Sequence, residues 1–358
     1  MAPADLFRRM ADQGHEHVAV HSDPETGLHA IIAIHSTALG PALGGCRLWP
    51  YSGFEAALRD VLLLSRAMTF KAAMAGLHLG GGKAVIMAQP GRKTPELLRA
   101  FGRFVDSLAG LYITAEDVGV TVADLETIRQ TTRYATGLPE DRGGSGDPSI
   151  MTAVGVLAGM RYCLRRVFGQ DGFAGRTVAI QGLGKVGSQL AKLLHDEGAR
   201  LIVSDVNKTR VGAVVGSVGA RAVAPAEIYK TRCDIFAPCA LGSTLNPRTI
   251  PRLTCRIVAG AANNQLSTPN DARALTRRRI VYAPDYVINA GGLINIACEL
   301  EGYRRDTALA RVLRIPETLA AVFDRAESEK ISPREAADQM VAGRIEAARG
   351  GKNAAPDE

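Results

Sequence analysis

"GRTVAIQGLGKVGSQLAKLLHDEGARLIVSDVN", residues 175–207, reads as strand, glycine turn, helix and strand in one unit. Thr177–Gln181 is a short apolar run, and the glycines after it are spaced Gly182-x-Gly184-x-x-Gly187. In such a turn the first glycine makes the tight bend and the second lets backbone approach a pyrophosphate. The third packs helix against strand, and the helix N-terminus offers unpaired N–H groups to the anion. Leu183, Lys185 and Val186 complete the turn, and the helix ends near His195. Leu201–Ser204 is the next strand, closed by Asp205 eighteen residues after Gly187, with Val206 following. An acid there hydrogen-bonds an adenosine ribose 2′-hydroxyl and repels a 2′-phosphate, so the motif predicts NAD rather than NADP.

Working outward, "IMTAVGVLAGMRYCLRRVFG" upstream has apolar residues at helical spacing. Downstream, "CDIFAPCA", "RIVAGAAN" and "IVYAPDYVIN" are short apolar runs that end in small or polar residues. Buried parallel strands read this way where their C-terminal ends line a ligand crevice. Residues 149–331 are therefore expected to form a Rossmann-type, doubly wound NAD-binding domain. Residues 1–148 form a separate α/β unit, which opens with a β-hairpin turning at Asp23-Pro24-Glu25-Thr26-Gly27. The stretch 332–348 is an amphipathic helix expected to pack back on that first unit, and 349–358 is expected to be a disordered tail. The fold class is α/β in two domains, with an active-site cleft expected between them.

Composition narrows the partners. The chain has 358 residues, 46% apolar and 22% charged, the balance of a globular protein. Its net charge of +7 comes from scattered arginines, and aromatics make up 5%, so a nucleic-acid footprint is not expected. No run approaches the length of a membrane span or a signal peptide, which makes the cytoplasm the expected location. The six cysteines contain no C-x-x-C pair, and no carboxylate or cysteine cluster completes His15-x-His17, so no metal site is expected.

In the first unit, "GLHLGGGKAVI" (76–86) strips side chains from the approach to Lys83. It is not a phosphate-binding P-loop, because Leu77 and Ala84 stand where that motif needs glycine and a hydroxyl. Lys71 lies twelve residues earlier on an apolar helix, and "YITAEDVG" brings Glu116-Asp117 to the end of an apolar strand. Charges in such surroundings need partners. On the residues alone, Lys83 and Asp117 could be a structural ion pair or a working one.

Seven stretches together resemble the amino-acid dehydrogenases acting on leucine, valine, phenylalanine and glutamate. They are "PALGGCRLWP", "AMTFKAAMAGLHLGGGKAVI", "YITAEDVG", "GGSGDPSIMTAVGV", "APCALG", "AGAANNQL" and "YAPDYVINAGGLIN", in order between Pro41 and Asn295. The leucine dehydrogenase branch is the nearest in likeness. The resemblance implies reversible oxidative deamination by a homo-oligomer. Lys71 would hold the substrate α-carboxylate, Lys83 would polarise the carbonyl oxygen, and Asp117 would shuttle protons. Gly44, Gly45, Asn263 and Asn289 would complete the polar shell. Thr152, Cys239, Ala240 and Asn264 would contact the cofactor. The glycines 80–82 would let the backbone come close beneath the substrate.

The resemblance also implies the substrate. Glutamate enzymes place a lysine before Gly-Gly, and here that position is Leu43. Leu43, Met68, Ala115, Leu293 and Ile296 would line an apolar pocket that cannot pair a buried carboxylate. A branched-chain aliphatic amino acid is expected, with phenylalanine as the alternative and a catalytically silent NAD-binding regulator as a further one. Leu111, Cys298 and Ala67 depart from the family pattern, where arginine, aspartate and glycine are usual.

Overall fold

The computed structural model describes residues 3–353. The chain divides into two units. One comprises residues up to Asp147, Ile296–Arg305 and the residues from Val341; the other comprises Pro148–Asn295 and Asp306–Met340.

The first unit begins with helix α1 (Pro3–Gln13) and the hairpin β1 (His17–Asp23) and β2 (Leu28–Ser36), paired antiparallel with Asp23 opposite Leu28. The turn is closed by the backbone N–H of Glu25 donating to Asp23 Oδ1 at 3.0 Å. With β3 (Ala42–Trp49), β4 (Gly80–Met87) and β5 (Tyr112–Ala115), the strands form a five-stranded sheet in the order β1-β2-β4-β3-β5. Helix α2 (Phe54–Met74) covers one face, where Ala57, Leu58, Val61 and Leu62 pack on Ile31, Ala33 and Val85. Helices α3 (Pro95–Asp106) and α4 (Val122–Arg129) cover the other, where Phe101, Leu98, Leu125 and Ile128 pack on Ile32, Ile34, Leu48 and Ile86. Both faces of β2 are thus buried, and each large apolar side chain contributes roughly 1.5–3 kcal/mol. Thr94 starts α3 by accepting from the N–H of Leu97, with Pro95 in the first turn, and a Thr121/Asp124 capping box starts α4.

The second unit begins with α5 (Pro148–Phe168). There follow β6 (Thr177–Gln181), α6 (Lys185–Asp196), β7 (Arg200–Ser204), α7 (Lys208–Val218), β8 (Arg221–Ala222), β9 (Ile235–Pro238) and β10 (Ile257–Val258). Helix α8 (Pro269–Arg277), β11 (Val281–Tyr282), α9 (Asp285–Ile288) and α10 (Gly291–Ala297) complete the crossover pattern. All six strands are parallel, in the order β11-β10-β9-β6-β7-β8. This is the doubly wound dinucleotide-binding topology, and the order in which successive strands are added reverses between β6 and β9. The Gly182–Gly187 turn leaves β6 at that switch point. Helices α11 (Arg305–Val312), α12 (Ile315–Ser328) and α13 (Pro333–Asn353) end the chain.

Two boundaries differ from the sequence reading. Ile296–Arg305, read as part of the NAD domain, groups with the first unit. There the Glu299 carboxylate accepts from Thr136 Oγ1 (2.6 Å) and from the N–H groups of Gly137 (2.8 Å) and Ser145 (2.6 Å). The final helix divides. Through Met340 it belongs to the second unit, where Tyr286 donates to Asp338 Oδ1 at 2.6 Å; beyond that the Arg344 guanidinium donates to the Ala73 carbonyl of α2. Helix α13 also extends to Asn353, into the stretch read as a tail; residues 354–358 lie outside the described residues. Among the described residues no helix is long and apolar enough to cross a membrane.

Candidate active site

Register decides which side chains meet in the first unit. Leu43 pairs with Gly81 on one side and Ile113 on the other, and Gly45 pairs with Ala115. Side chains alternate along a strand, so Leu43, Gly45 and Arg47 of β3, Gly81 and Lys83 of β4, and Ala115 of β5 share the face covered by α2. Asp117 continues that line two residues past Ala115. Lys83 Nζ lies 2.8 Å from Asp117 Oδ2, and the lysine side chain is only 8% exposed. An ideal Cβ at Gly45 would stand 2.8 Å from Asp117 Cβ, so that glycine makes the carboxylate's approach possible. On α2, Met68 is half-buried beside Gly44, and Lys71 follows it one turn later on the same helical face. Leu43 and Ala115 are buried.

The glycines before Lys83 have a different role from the one expected. They lie inside β4, a strand with neighbours on both sides. A Cβ on Gly81 would strike the backbone of Thr69 in α2, and one on Gly82 would stand 2.6 Å from the Tyr112 ring. The β3–β4 ladder pairs Leu43 with Gly81 and resumes at Cys46–Ala84. Beside that interruption the buried Tyr112 hydroxyl donates to the Gly44 carbonyl at 2.5 Å. Close packing of helix and ring, rather than access for substrate, explains the missing side chains. Gly81→Ala should therefore destabilise the protein by about 1–3 kcal/mol through overpacking. A variant that melts like the parent but binds substrate worse would restore the access reading.

Arg47 is the residue that sequence reasoning missed, although "GGCRLWP" contains it. Its Nε lies 3.2 Å from Asp117 Oδ2 and its Nη1 2.9 Å from Asp60 Oδ2, which also accepts from the Tyr51 hydroxyl at 2.5 Å. A single carboxylate oxygen of Asp117 thus serves two cations. Burial pushes the Asp117 carboxyl up, but Lys83 and then Arg47 outweigh it and hold it at about 2. A carboxyl depressed in the folded state stabilises the protein above its ordinary value near 4, and this contribution is lost as pH falls towards about 2. Arg47→Gln should raise that carboxyl towards its ordinary value, so its share of acid destabilisation should be smaller and complete at higher pH. Unchanged acid-unfolding profiles would show that Arg47 does not tune Asp117.

In the second unit, Gly182 has φ of 95° and would place a Cβ 2.6 Å from the Ala240 nitrogen. Gly187 would place one against the Gly182 carbonyl and 3.3 Å from Cys239 Cβ. At Gly184, the N-cap of α6, no atom of the described residues beyond the glycine and its chain neighbours lies within 4 Å of the Cβ position. That open backbone at a helix N-terminus fits a dinucleotide pyrophosphate, which a side chain there would obstruct. Lys185 and Val186 form the first turn of α6. Asp205 Oδ2 accepts the Leu183 N–H at 2.6 Å, and Oδ1 that of Asn207 at 2.7 Å, which holds the carboxylate at the mouth of the turn. Val206 and Leu241, just past β7 and β9, are each 87% exposed. The Cys239 thiol is pushed up to about 11 by burial, which makes it a packing residue rather than a nucleophile.

The asparagines form a second cluster in the same unit. Asn289 Nδ2 donates to Asn263 Oδ1 at 2.9 Å and to the Ala261 carbonyl at 3.1 Å. Its Oδ1 is buried and accepts no hydrogen bond from the described residues. Gln265 fixes the loop through the Gly260 (2.9 Å) and Ala262 (3.0 Å) carbonyls, and Asn264 takes φ of 49°. The Thr152 hydroxyl donates to the Pro148 carbonyl at 2.9 Å, and Gly292 packs against it at the start of α10. Leu293 and Ile296 are both buried and three apart on α10, so they share a helical face.

Comparison with known proteins agrees with both halves. Residues 15–134 match the Glu/Leu/Phe/Val dehydrogenase dimerisation domain. Residues 143–209 and 203–350 match the Glutamate/Leucine/Phenylalanine/Valine dehydrogenase model. The chain is 50% identical to leucine dehydrogenase of Geobacillus stearothermophilus over 346 residues, covering 96% of this chain and 94% of that one. It is 47% identical to valine dehydrogenase of Streptomyces albus over 355 residues, covering 97% and 98%. The crystal structure of L-tryptophan dehydrogenase from Nostoc punctiforme superposes with a TM-score of 0.82 at 44% identity, covering 96% of this chain and 99% of that one. With both units matched and half of the residues identical to a leucine dehydrogenase, the chain belongs to the Glu/Leu/Phe/Val dehydrogenase family of amino-acid dehydrogenases.

Proposed function

We propose that the protein catalyses the NAD-dependent, reversible oxidative deamination of a branched-chain aliphatic L-amino acid (leucine, valine or isoleucine) to its 2-oxo acid and ammonium. The observation that carries the chemistry is the Lys83–Asp117 pair at 2.8 Å, its lysine buried and its aspartate half-buried, on the sheet face that also carries the buried, apolar Leu43 and Ala115. When bound, the nicotinamide ring supplies the hydride acceptor. Lys71 neutralises the α-carboxylate, and Lys83 sets positive charge at the oxygen that becomes negative during imine hydration. Asp117, ionised at neutral pH, takes up a proton from the attacking water. The orphan Oδ1 of Asn289 accepts from the substrate's amino group, which would satisfy a buried acceptor otherwise costing about 1–3 kcal/mol. Asn263 orients that amide.

Leu43 and Ile296 support an aliphatic side chain over glutamate, because neither can pair a buried carboxylate. Discrimination by one methylene is worth only about 1–3 kcal/mol, so valine and leucine are expected within two orders of magnitude of each other. The match to a dimerisation domain supports a homo-oligomer. The Asp205 carboxylate favours NAD: like-charge contact with a 2′-phosphate costs several kcal/mol, so NADP⁺ should be at least about a hundredfold less efficient. One assay series tests both readings: leucine, valine, isoleucine, phenylalanine and glutamate, each with NAD⁺ and NADP⁺, followed by reduced-cofactor absorbance. Equal use of the two cofactors would remove the role given to Asp205. Preference for phenylalanine or glutamate would overturn the branched-chain assignment.

A further inference from the structure

At the edge of the second unit's sheet opposite the Gly182–Gly187 turn lies a cavity of about 980 Å³. Its wall is formed where the parallel strands begin: Thr177 opens β6, Arg200 opens β7, Arg221 opens β8, and Asp234 and Arg256 immediately precede β9 and β10. Five arginines face it (Arg176, Arg200, Arg221, Arg232 and Arg256), against a single carboxylate, Asp234, among the described residues. That carboxylate is already committed. Its Oδ2 accepts the Thr177 N–H at 2.8 Å, tying β6 to the start of β9, and its Oδ1 lies 3.7 Å from Arg176 Nη1. It cannot neutralise the other four guanidiniums.

Three of the arginines are also held in place. The Arg176 guanidinium carbon sits 4.0 Å over the Phe168 ring, with that of Arg256 5.9 Å from the same ring. Arg200 Nη2 donates to the Gly175 carbonyl at 2.6 Å. Each guanidinium has five N–H donors, so one anchoring contact leaves most of the fork available. Fixed planar donors in a concave, strongly positive site are what recognition of phosphate oxygens requires. We propose that this cavity is a second ligand site, which binds a linear di- or triphosphate through Arg176, Arg200, Arg221, Arg232 and Arg256. The five residues of β6, at ~3.3 Å each, set it about 16 Å from the glycine turn, so its ligand and the dinucleotide would not compete for space.

The test is calorimetric titration of the whole protein with inorganic tripolyphosphate at low ionic strength, with NADH saturating to block the dinucleotide site. Saturable binding near one per chain is expected, weakening as salt is added. Arg221→Ala combined with Arg232→Ala should weaken it at least tenfold without changing the melting temperature or NADH affinity. Arg221→Glu alone should do the same if the double variant is poorly soluble. ATP in place of tripolyphosphate identifies the source. Tighter binding of ATP means that a nucleotide is read, equal or weaker binding means that the phosphate chain suffices, and either supports the site. Absence of saturable binding, undiminished affinity in both variants, or an equal signal from orthophosphate at matched ionic strength would overturn the proposal.

Discussion

Lys83→Ala is expected to lower amino-acid turnover by roughly a thousandfold or more, while the protein stays folded and keeps its affinity for NADH. Removing the positive charge at the developing oxyanion should cost several kcal/mol of barrier. What makes the result interpretable is the second cation. Asp117 Oδ2 also lies 3.2 Å from Arg47 Nε, so deleting Lys83 does not leave the carboxylate unpaired. The penalty for orphaning a buried charge, about 3–5 kcal/mol, should therefore be largely avoided. Asp117→Asn is the opposite case. It keeps the shape but removes the carboxylate that Lys83 and Arg47 share, and although Arg47 keeps Asp60 at 2.9 Å, Lys83 loses its 2.8 Å partner, so it should cost more stability as well as activity. The two groups act in one sequence of steps, and the double variant should be scarcely less active than the worse single one. If the pair were only structural, Lys83→Ala would remain active at low temperature, whatever its melting temperature, and Asp117→Asn would be active but less stable. Thermal melts, NADH binding and leucine-dependent NADH formation on the three variants separate the two accounts.

How much of this was legible beforehand depends on the range of the interaction. The glycine turn and its flanking strands were readable because each glycine answers a local demand. β6 falls on Thr177–Gln181 as expected, and the parallel strands β9, β10 and β11 fall within the three apolar runs. Lys83 and Asp117 could be suspected as partners, because charges in apolar runs need them; the 2.8 Å contact joins β4 to the segment just past β5, distant in sequence. Arg47 could not be given a role in that way. Its position is set by strand register, which puts β3 between β4 and β5, and no local pattern reveals that order. The same applies to the glycines of β4. Their spacing before a lysine suggested room for substrate, whereas the space is taken by Thr69 and Tyr112 from elements that neighbour β4 only in three dimensions. The boundary near Ile296 was missed for a related reason: the division falls within the helix α10, where no local signal marks it.

Leu43→Lys should abolish leucine turnover, by at least about a hundredfold, without creating strong glutamate activity. Leu43 is 1% exposed and shares the α2-facing side of the sheet with Lys83 and Arg47. A lysine there adds a third cation to a face whose nearby carboxylate, Asp117, is already shared between two. With no new partner, the added charge is either desolvated at a cost of several kcal/mol or forced neutral. Neither form leaves an apolar wall for a leucine side chain. A glutamate side chain would gain one partner at position 43, but Ile296 is apolar and offers no second polar contact, so its buried carboxylate would stay under-satisfied. Loss of activity alone could reflect unfolding, and Leu43→Met supplies the control. It nearly conserves volume, should cost less than about 1.5 kcal/mol, and should keep leucine turnover. The pocket assignment requires Leu43→Lys to retain NADH binding through the second unit while losing leucine, with Leu43→Met close to the parent in both. Leucine turnover that survives in Leu43→Lys would mean that this side chain packs the sheet against α2 and does not line the substrate site.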